Sequence, residues 1–237
     1  MEPGSLVTED GLVLPPDPAE TALRPLYEVD DGYGMRLSMI QAADRMAVGL
    51  DGTSRTLNGP EDLRILRVTR SWADIVIVGA QTARSEGYGP IRLGPELISA
   101  RVASGLNPLP DLAIVTRNGK LPPGLDPERT WIFTTEWGRA VTIEGPLRER
   151  VITRGATTFD VPAMIAFLRV AGYRRLLCEG GAALARMALA QEAVTDFCLT
   201  TSPRPSSRGP KVPPVPARMV KRHTLTGNGY TMERWEL

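Results

Sequence analysis

The sequence predicts an α/β fold: a mixed, mostly parallel central sheet flanked by helices and closed by a C-terminal antiparallel hairpin. Three observations predict it. Short apolar runs, such as Asp74 to Val78 and Asp111 to Thr116, end in glycine or small polar residues, as strands buried on both faces do. Segments with helical period and start signals separate them, opening near Pro60 and Val161. The last stretch sets two alternating runs on either side of Gly227-Asn228-Gly229, a hairpin signal. Strand and helix in alternation is the pattern of an α/β domain.

Taken in order, residues 1–34 read as an N-terminal extension and residues 35–237 as the domain. Pro3, Pro15, Pro16, Pro18 and Pro25 break any helix in the extension. Its apolar residues, Leu12 to Leu14, Leu23, Leu26 and Tyr27, are too many for a solvated tail, so it is expected to lie across the domain or a neighbouring subunit. Met35 to Ala43 reads as the first strand, closed by Asp44. A turn-rich loop follows through Gly49, Asp51-Gly52 and Thr53-Ser54. Asn58-Gly59-Pro60-Glu61 starts a helix whose apolar side is Leu63, Ile65, Leu66 and Val68. Arg64, Arg67 and Arg70 wind around that helix, either as a solvated face or as a basic edge toward an anionic ligand. Further strands are expected at 74–78, 111–116, 131–135 and 151–152, and a helix at 161–171 after Asp160. The strand around Leu176 leads into the Gly181 helix, and a last strand before the hairpin covers 197–201. The proline-rich stretch 202–217 reads as a loop.

Composition removes several function classes. The formal net charge of +1 gives no case for nucleic acid or an anionic membrane as partner. No apolar run approaches the ~20 residues that span a bilayer. The start of the chain lacks signal-peptide order, and Cys178 and Cys198 read as buried thiols, so a cytoplasmic protein is expected. The single histidine, His223, with no Gly-x-Ser-x-Gly elbow, argues against a hydrolase triad, and no zinc ligand pair or other metal site is expected. His223 itself reads as a surface residue beside Lys221 and Arg222.

Three strand ends carry groups suited to a ligand: Gly79 to Glu86, Thr116-Arg117, and Glu179 to Leu184. Open α/β sheets bring such ends to one edge. Gly180 and Gly181 allow close backbone approach, and the helix after them offers free N–H groups to a pyrophosphate. Arg117 suits a further phosphate. Together they suit a phosphorylated dinucleotide such as NADPH, although neither a Gly-x-Gly-x-x-Gly nor a Walker fingerprint is present. The plainer alternative for Glu179-Gly180-Gly181 is a tight strand-to-helix turn. Spacing alone yields an anion cleft and no reaction class.

Several motifs in this order resemble a known family. Asp44 after the first strand, Asn58-Gly59-Pro60, Val78 to Glu86, and Glu179-Gly180-Gly181-Ala182-Ala183-Leu184 resemble the reductase domain of riboflavin biosynthesis, which has the dihydrofolate reductase-like fold. The resemblance spans roughly residues 35–237. It implies NADPH-dependent reduction of 5-amino-6-(5-phosphoribosylamino)uracil, or its non-deaminated analogue, by hydride transfer to ribose C1. Position by position it implies cofactor contacts at Ala42, Thr82, Glu86, Thr116, Arg117 and Gly180, and a pyrophosphate wrapped by Gly181, Ala182, Ala183 and Leu184 through to Arg186. It implies substrate contacts at Ser54, Arg70, Arg92 and Glu179. Arg70 would take the substrate phosphate, with Arg92 as a second candidate. Glu86 and Glu179 are the candidate catalytic carboxylates, and the proton comes from Glu86 or a bound water. Asp44 is expected to fix its loop rather than to act in chemistry. A homodimer is implied, which a sedimentation mass of one chain would exclude.

The sequence departs from the family on the substrate side. Ala42-Ala43-Asp44-Arg45 stands for Ser-Leu-Asp-Gly, Ser38 replaces a lysine, and the usual glycine-rich turn is Pro203 to Pro210. Two alternatives therefore stand beside the first reading. One is a reductase of another pterin or pyrimidine, such as dihydrofolate. The other is a non-catalytic nucleotide-binding relative.

Overall fold

The apolar runs become the middle of one sheet. The computed structural model describes residues 1–29, 34–139, 143 and 145–237. In chain order the strands are β1 (Leu6–Thr8), β2 (Val13–Leu14), β3 (Met35–Ala42), β4 (Ile75–Gly79), β5 (Asp111–Val115), β6 (Thr130–Thr134), β7 (Val151–Thr153), β8 (Leu176–Cys178), β9 (Val194–Ser202), β10 (Val220–Gly227) and β11 (Tyr230–Glu236). They form an 11-stranded sheet in the order β2-β1-β10-β11-β9-β3-β8-β4-β5-β6-β7. Pairing is parallel from β9 through β3, β8, β4, β5 and β6 to β7, and antiparallel from β9 through β11, β10 and β1 to β2.

Alternation along the central strands splits the core into two layers. Met35, Leu37 and Met39 of β3 and Ile75 and Ile77 of β4 face one side. There they meet α5 (Val161–Val170) and α6 (Ala182–Ala190) through Met164, Leu168, Leu184 and Ala188. Val76 and Val78 face the other side, with Leu112, Ile114, Ile132 and Leu177. That side carries α1 (Pro60–Trp72) and α2 (Ala80–Ser85), and α3 (Pro95–Ala103) packs on α1. A one-turn helix, α4 (Glu136–Arg139), follows β6. Asp160 Oδ1 caps α5 by accepting the Ala163 N–H at 2.8 Å, and Gly172 at φ +95° follows its end.

The hairpin forms as its sequence predicts. Asn228 and Gly229 both have positive φ, 47° and 84°, which a two-residue turn matched to strand twist requires. Helix α3 and strands β1 and β2 are additions that the sequence did not announce. Gly94-Pro95 is a proper helix start, but the segment beyond it has a weak apolar period.

Residues 1–29 are part of the packed structure. β1 pairs with β10, and Leu6, Leu14, Leu23 and Tyr27 pack on Ile65 and Val68 of α1 and on Leu225 and Met232. This contact corrects the reading of Arg64 as a solvated or ligand-facing charge. Arg64 is buried, and its Nη2 donates to Glu20 Oε2 at 2.6 Å. Nη1 donates to the Gly4 and Leu14 carbonyls at 2.7 and 2.8 Å. His223 is corrected as well: it is half-buried, with its ring edge-on to Tyr27 at 5.1 Å. Burial, helped by the Arg234 charge, pushes its pKa down to about 4.

Candidate active site

Because β3, β8 and β4 lie side by side and run the same way, their carboxyl ends share one edge. β8 stops at Cys178 and hands Glu179 to that edge, and the Glu179 N–H is tied back to the Ile77 carbonyl at 2.9 Å. The turn that follows has Gly180 at φ +80° and a cis Gly180–Gly181 peptide. The Gly180 carbonyl accepts the Gly79 N–H at 2.7 Å, which locks the ends of β8 and β4 together. A Cβ on Gly180 would sit 2.6 Å from Met39 Sδ, and one on Gly181 would sit 2.4 Å from Thr82 Oγ1. Gly180 also has a φ that favours glycine, whereas a Cβ at Gly181 would force the Thr82 side chain to shift. The turn opens α6 with no side-chain cap, which leaves its first N–H groups for a ligand.

A cavity of about 620 Å³ lies in front of this turn. It is lined by Gly79, Thr82 and the start of α6, and by the loop after β3 and α1. That loop is firmly held. Asp44 accepts the Met46 N–H at 3.2 Å and the Ser206 hydroxyl at 2.7 Å, and Ser207 donates to the Gly49 carbonyl at 2.6 Å. The stretch from Pro203 to Pro210 thus clasps the loop, and Pro210 reaches the cavity wall. The expectation that Asp44 fixes its loop agrees with this geometry.

Glu179 is the centre of a charged network. Arg70 Nε and Nη2 donate to its two oxygens, each at 2.7 Å, and the Tyr88 hydroxyl donates to Oε2 at 2.6 Å. The guanidinium carbon lies 5.5 Å from the Tyr88 ring centre. Burial works against the Arg70 charge, but the Glu179 carboxylate and its hydrogen bonds outweigh burial and raise the Arg70 pKa. Burial, with Glu179 beside it, raises the Tyr88 pKa well above its ordinary value. The fork of Arg70 is therefore spent on Glu179.

Two further carboxylates face the cavity. Glu86 Oε1 accepts the Ser54 N–H at 2.7 Å, and Oε2 lies 3.7 Å from Arg55 Nε. Asp62, in the first turn of α1, is 8% exposed. Burial is the largest influence on it, opposed by the Thr200 hydroxyl and assisted by the nearby Glu179 charge, and its pKa rises to about 6. With its amide nitrogen turned toward these acceptors, Asn58 donates to the Ser54 carbonyl at 3.1 Å and to Asp62 Oδ2 at 3.3 Å.

The structure gathers most of the sequence-selected residues around one cavity. Ser54, Arg70, Thr82, Glu86, Glu179, Gly181, Ala182, Ala183 and Leu184 all line it, and Gly180 forms the turn beneath. Others lie elsewhere. Ala42 is buried at the end of β3 with its N–H on the Met46 carbonyl, and Ala47 and Val48 line the cavity instead. Thr116 is buried and Arg117 exposed just past β5, outside the cavity wall. Arg92 is exposed on the loop before α3, also outside it. Sequence reasoning passed over Asp62, Tyr88 and Arg55, which line the cavity; Arg186, the last residue of the stretch expected to wrap the pyrophosphate, lines it too. The exposed-looking pattern around Tyr88 gave no signal, and an acid in the first turn of a helix reads as a dipole charge.

Among the described residues no cluster of His, Cys, Asp and Glu could hold a metal, and no helix is long and apolar enough to cross a membrane. Both cysteines are free and buried.

A sheet with this strand order, with the cavity at the carboxyl ends of β3, β8 and β4, is the dihydrofolate reductase-like arrangement. The chain belongs to the RibD C-terminal domain family, whose sequence profile matches residues 35–205. Among solved structures it resembles a pyrimidine reductase-like protein from Corynebacterium diphtheriae. That match has a TM-score of 0.66 and 24% identity, over 86% of this chain and 91% of the other. Acinetobacter baumannii RibD also gives 0.66, at 15% identity over 87% of this chain, which spans 58% of that protein. The riboflavin biosynthesis reductase Rib7 of Saccharomyces cerevisia gives 0.61, at 15% identity over 89% and 92%. At these identities the likeness is one of fold. The sequence matches no curated protein.

Proposed function

We propose that this chain is an NADPH-dependent reductase acting on a phosphoribosylamino-pyrimidine. The observation that carries the reading is one cavity lined both by a glycine turn that opens a helix and by carboxylates and hydroxyls.

The residues present fit the cofactor. The Gly180-Gly181 backbone, bare of side chains where it borders the cavity, and the uncapped start of α6 would form a cradle for a pyrophosphate. Thr82 flanks that turn. Thr116 and Arg117 stand at the end of β5, two strands from β8, where an adenosine phosphate would extend along the sheet edge. When bound, NADPH supplies the hydride that reduces ribose C1.

The chain's own groups do the rest. Hydride transfer would need the cavity to bring the open sugar within about 3–3.5 Å of the donor carbon and to shield both from water. The sugar ring oxygen needs one proton as the ring opens. Glu179 has both oxygens engaged by Arg70 and Tyr88, so it acts as a positioning residue. Glu86, beside Ser54 at the cavity wall, is the acid–base group of this reading, working with water. Arg70 is held by Glu179 and shapes the wall, and Arg55, whose side chain is 62% exposed, is the freer cation for the substrate phosphate.

Titration of the protein with NADPH and NADH tests the cofactor half. NADPH is expected to bind, and Gly181→Ala to weaken it at least about tenfold, because the new methyl occupies the Thr82 contact. Equal affinity for NADPH in the variant would remove the cradle from the account.

A further inference from the structure

Asp62 is a buried carboxylate that lines the cavity, and among the described residues no cation pairs with it. Asn58 donates to its Oδ2 at 3.3 Å, and the Thr200 hydroxyl favours its charged form. The titratable groups facing it are Glu179, at the end of β8, and Tyr230, on β11. Arg70, Tyr88, Glu86 and Arg55 line the same cavity. Arg70 is forked onto Glu179, and Arg55 faces Glu86. A buried carboxylate with acceptor capacity to spare is costly unless something completes it. Here the open side is the cavity itself. The chemistry that completes a carboxylate is a pair of adjacent N–H donors, as in an arginine fork.

A pyrimidine offers such a pair in only some forms. A 2-amino-pyrimidin-4-one presents its 2-amino group and ring N3–H side by side. A uracil presents N3–H between two carbonyl oxygens. In a 6-ribosylamino uracil the only adjacent donors lie on the edge that bears the reacting sugar, which the hydride donor must face.

We propose that Asp62 is the ring-reading residue of the cavity, and that it selects a 2-amino-pyrimidin-4-one ring over a uracil ring. The inference rests on the reductase reading above and gives it a substrate class: the ring arrives before its 2-amino group has been exchanged for oxygen. A deaminating reaction would then act on the product of this enzyme. Selection depends on the carboxylate form. A protonated Asp62 offers one donor and one acceptor, which pairs with the N3–H and 4-oxo edge common to both rings.

The test compares kcat/KM for 5-amino-6-(5-phosphoribosylamino)uracil and for its 2-amino counterpart, with NADPH, between pH 5 and pH 8. At pH 8 the wild type is expected to favour the 2-amino ring by at least about tenfold, since a polar site left unpaired rejects the wrong partner strongly. The preference shrinks toward pH 5. In Asp62→Asn it falls close to one at every pH, while the KM for NADPH stays unchanged. A wild-type preference for uracil, or a preference that Asp62→Asn retains, overturns the proposal. Should neither compound be reduced, the reductase reading fails by itself. Ring selection is then read by calorimetry with isocytosine and uracil as probes and NADPH present. Tighter isocytosine binding at pH 8 that weakens at pH 5 and in the variant supports the proposal, and equal binding overturns it. If Asp62→Asn does not fold, the pH dependence of the wild type decides in the same way.

Discussion

Glu179 sits where β8 must end, and it binds Arg70 and Tyr88 at once. Removing one member of a buried pair leaves the other without compensation. Glu179→Gln keeps the shape and removes the charge, so it is expected to cost about 3 kcal/mol in urea denaturation. Tyr88→Phe removes one hydrogen bond and should cost about 1 kcal/mol. Equal losses from the two variants would mean that the charge is not what holds Arg70. Asp62 has the opposite linkage. Its folded pKa, about 6, lies above the ordinary carboxylate value of 3.8. The stability it contributes is therefore present at low pH and is lost as pH rises through about 6. Asp62→Asn should gain on the wild type in melting temperature between pH 5 and pH 8, and parallel curves would contradict the burial argument. Of these residues the sequence disclosed Glu179, because a glutamate before two glycines at a strand end is a pattern. Asp62 and Tyr88 matter through neighbours far along the chain, and no local period encodes that.

Helix α1 shows the same division. Its apolar side, through Ile65 and Val68, follows from spacing, and Pro60 marks its start. The fate of its arginines does not, because three residues at one spacing meet three surroundings. Arg64 is sealed under the N-terminal segment, Arg67 remains exposed, and Arg70 points to the cavity. Glu20, 44 positions away, decides the first case. Arg64→Ala leaves Glu20 buried without its fork and is expected to destabilise the fold by roughly 3 kcal/mol. Arg64→Met with Glu20→Leu should recover much of that loss in the same thermal assay. A single-variant cost below about 0.5 kcal/mol would show that the segment is not docked as described. The closing hairpin was legible down to its turn, yet the burial of His223 on it depends on Tyr27 from the same docked segment. The folded pKa of His223 is depressed to about 4. The unfolded chain therefore binds the extra proton between roughly pH 6.5 and 4, and stability falls with acidification across that window. His223→Phe should flatten that fall, and an unchanged acid slope would exclude His223 as its source.

For the whole molecule, the strand order does what no single motif can. Placing β8 between β3 and β4 sets the glycine turn of α6 beside Gly79, and it lines one cavity with the loop after β3. Motifs more than a hundred residues apart thereby share one wall-to-wall cavity. The sequence disclosed the strands, their glycine ends and their likeness to a reductase family, since these are local patterns in a fixed order. It did not disclose that the N-terminal segment extends the sheet, or that Arg70 is already engaged by Glu179, since both follow from packing across the chain. The central claim is that the cavity holds a nicotinamide cofactor and a phosphoribosylamino-pyrimidine together for hydride transfer. The most direct measurement is a single-turnover experiment in which protein loaded with NADPH is mixed with each pyrimidine and the nicotinamide absorbance is followed. The account predicts a single exponential loss of reduced nicotinamide in the presence of substrate, slowed at least about tenfold in Glu86→Gln. Bound NADPH that stays reduced with every phosphoribosylamino-pyrimidine would contradict it.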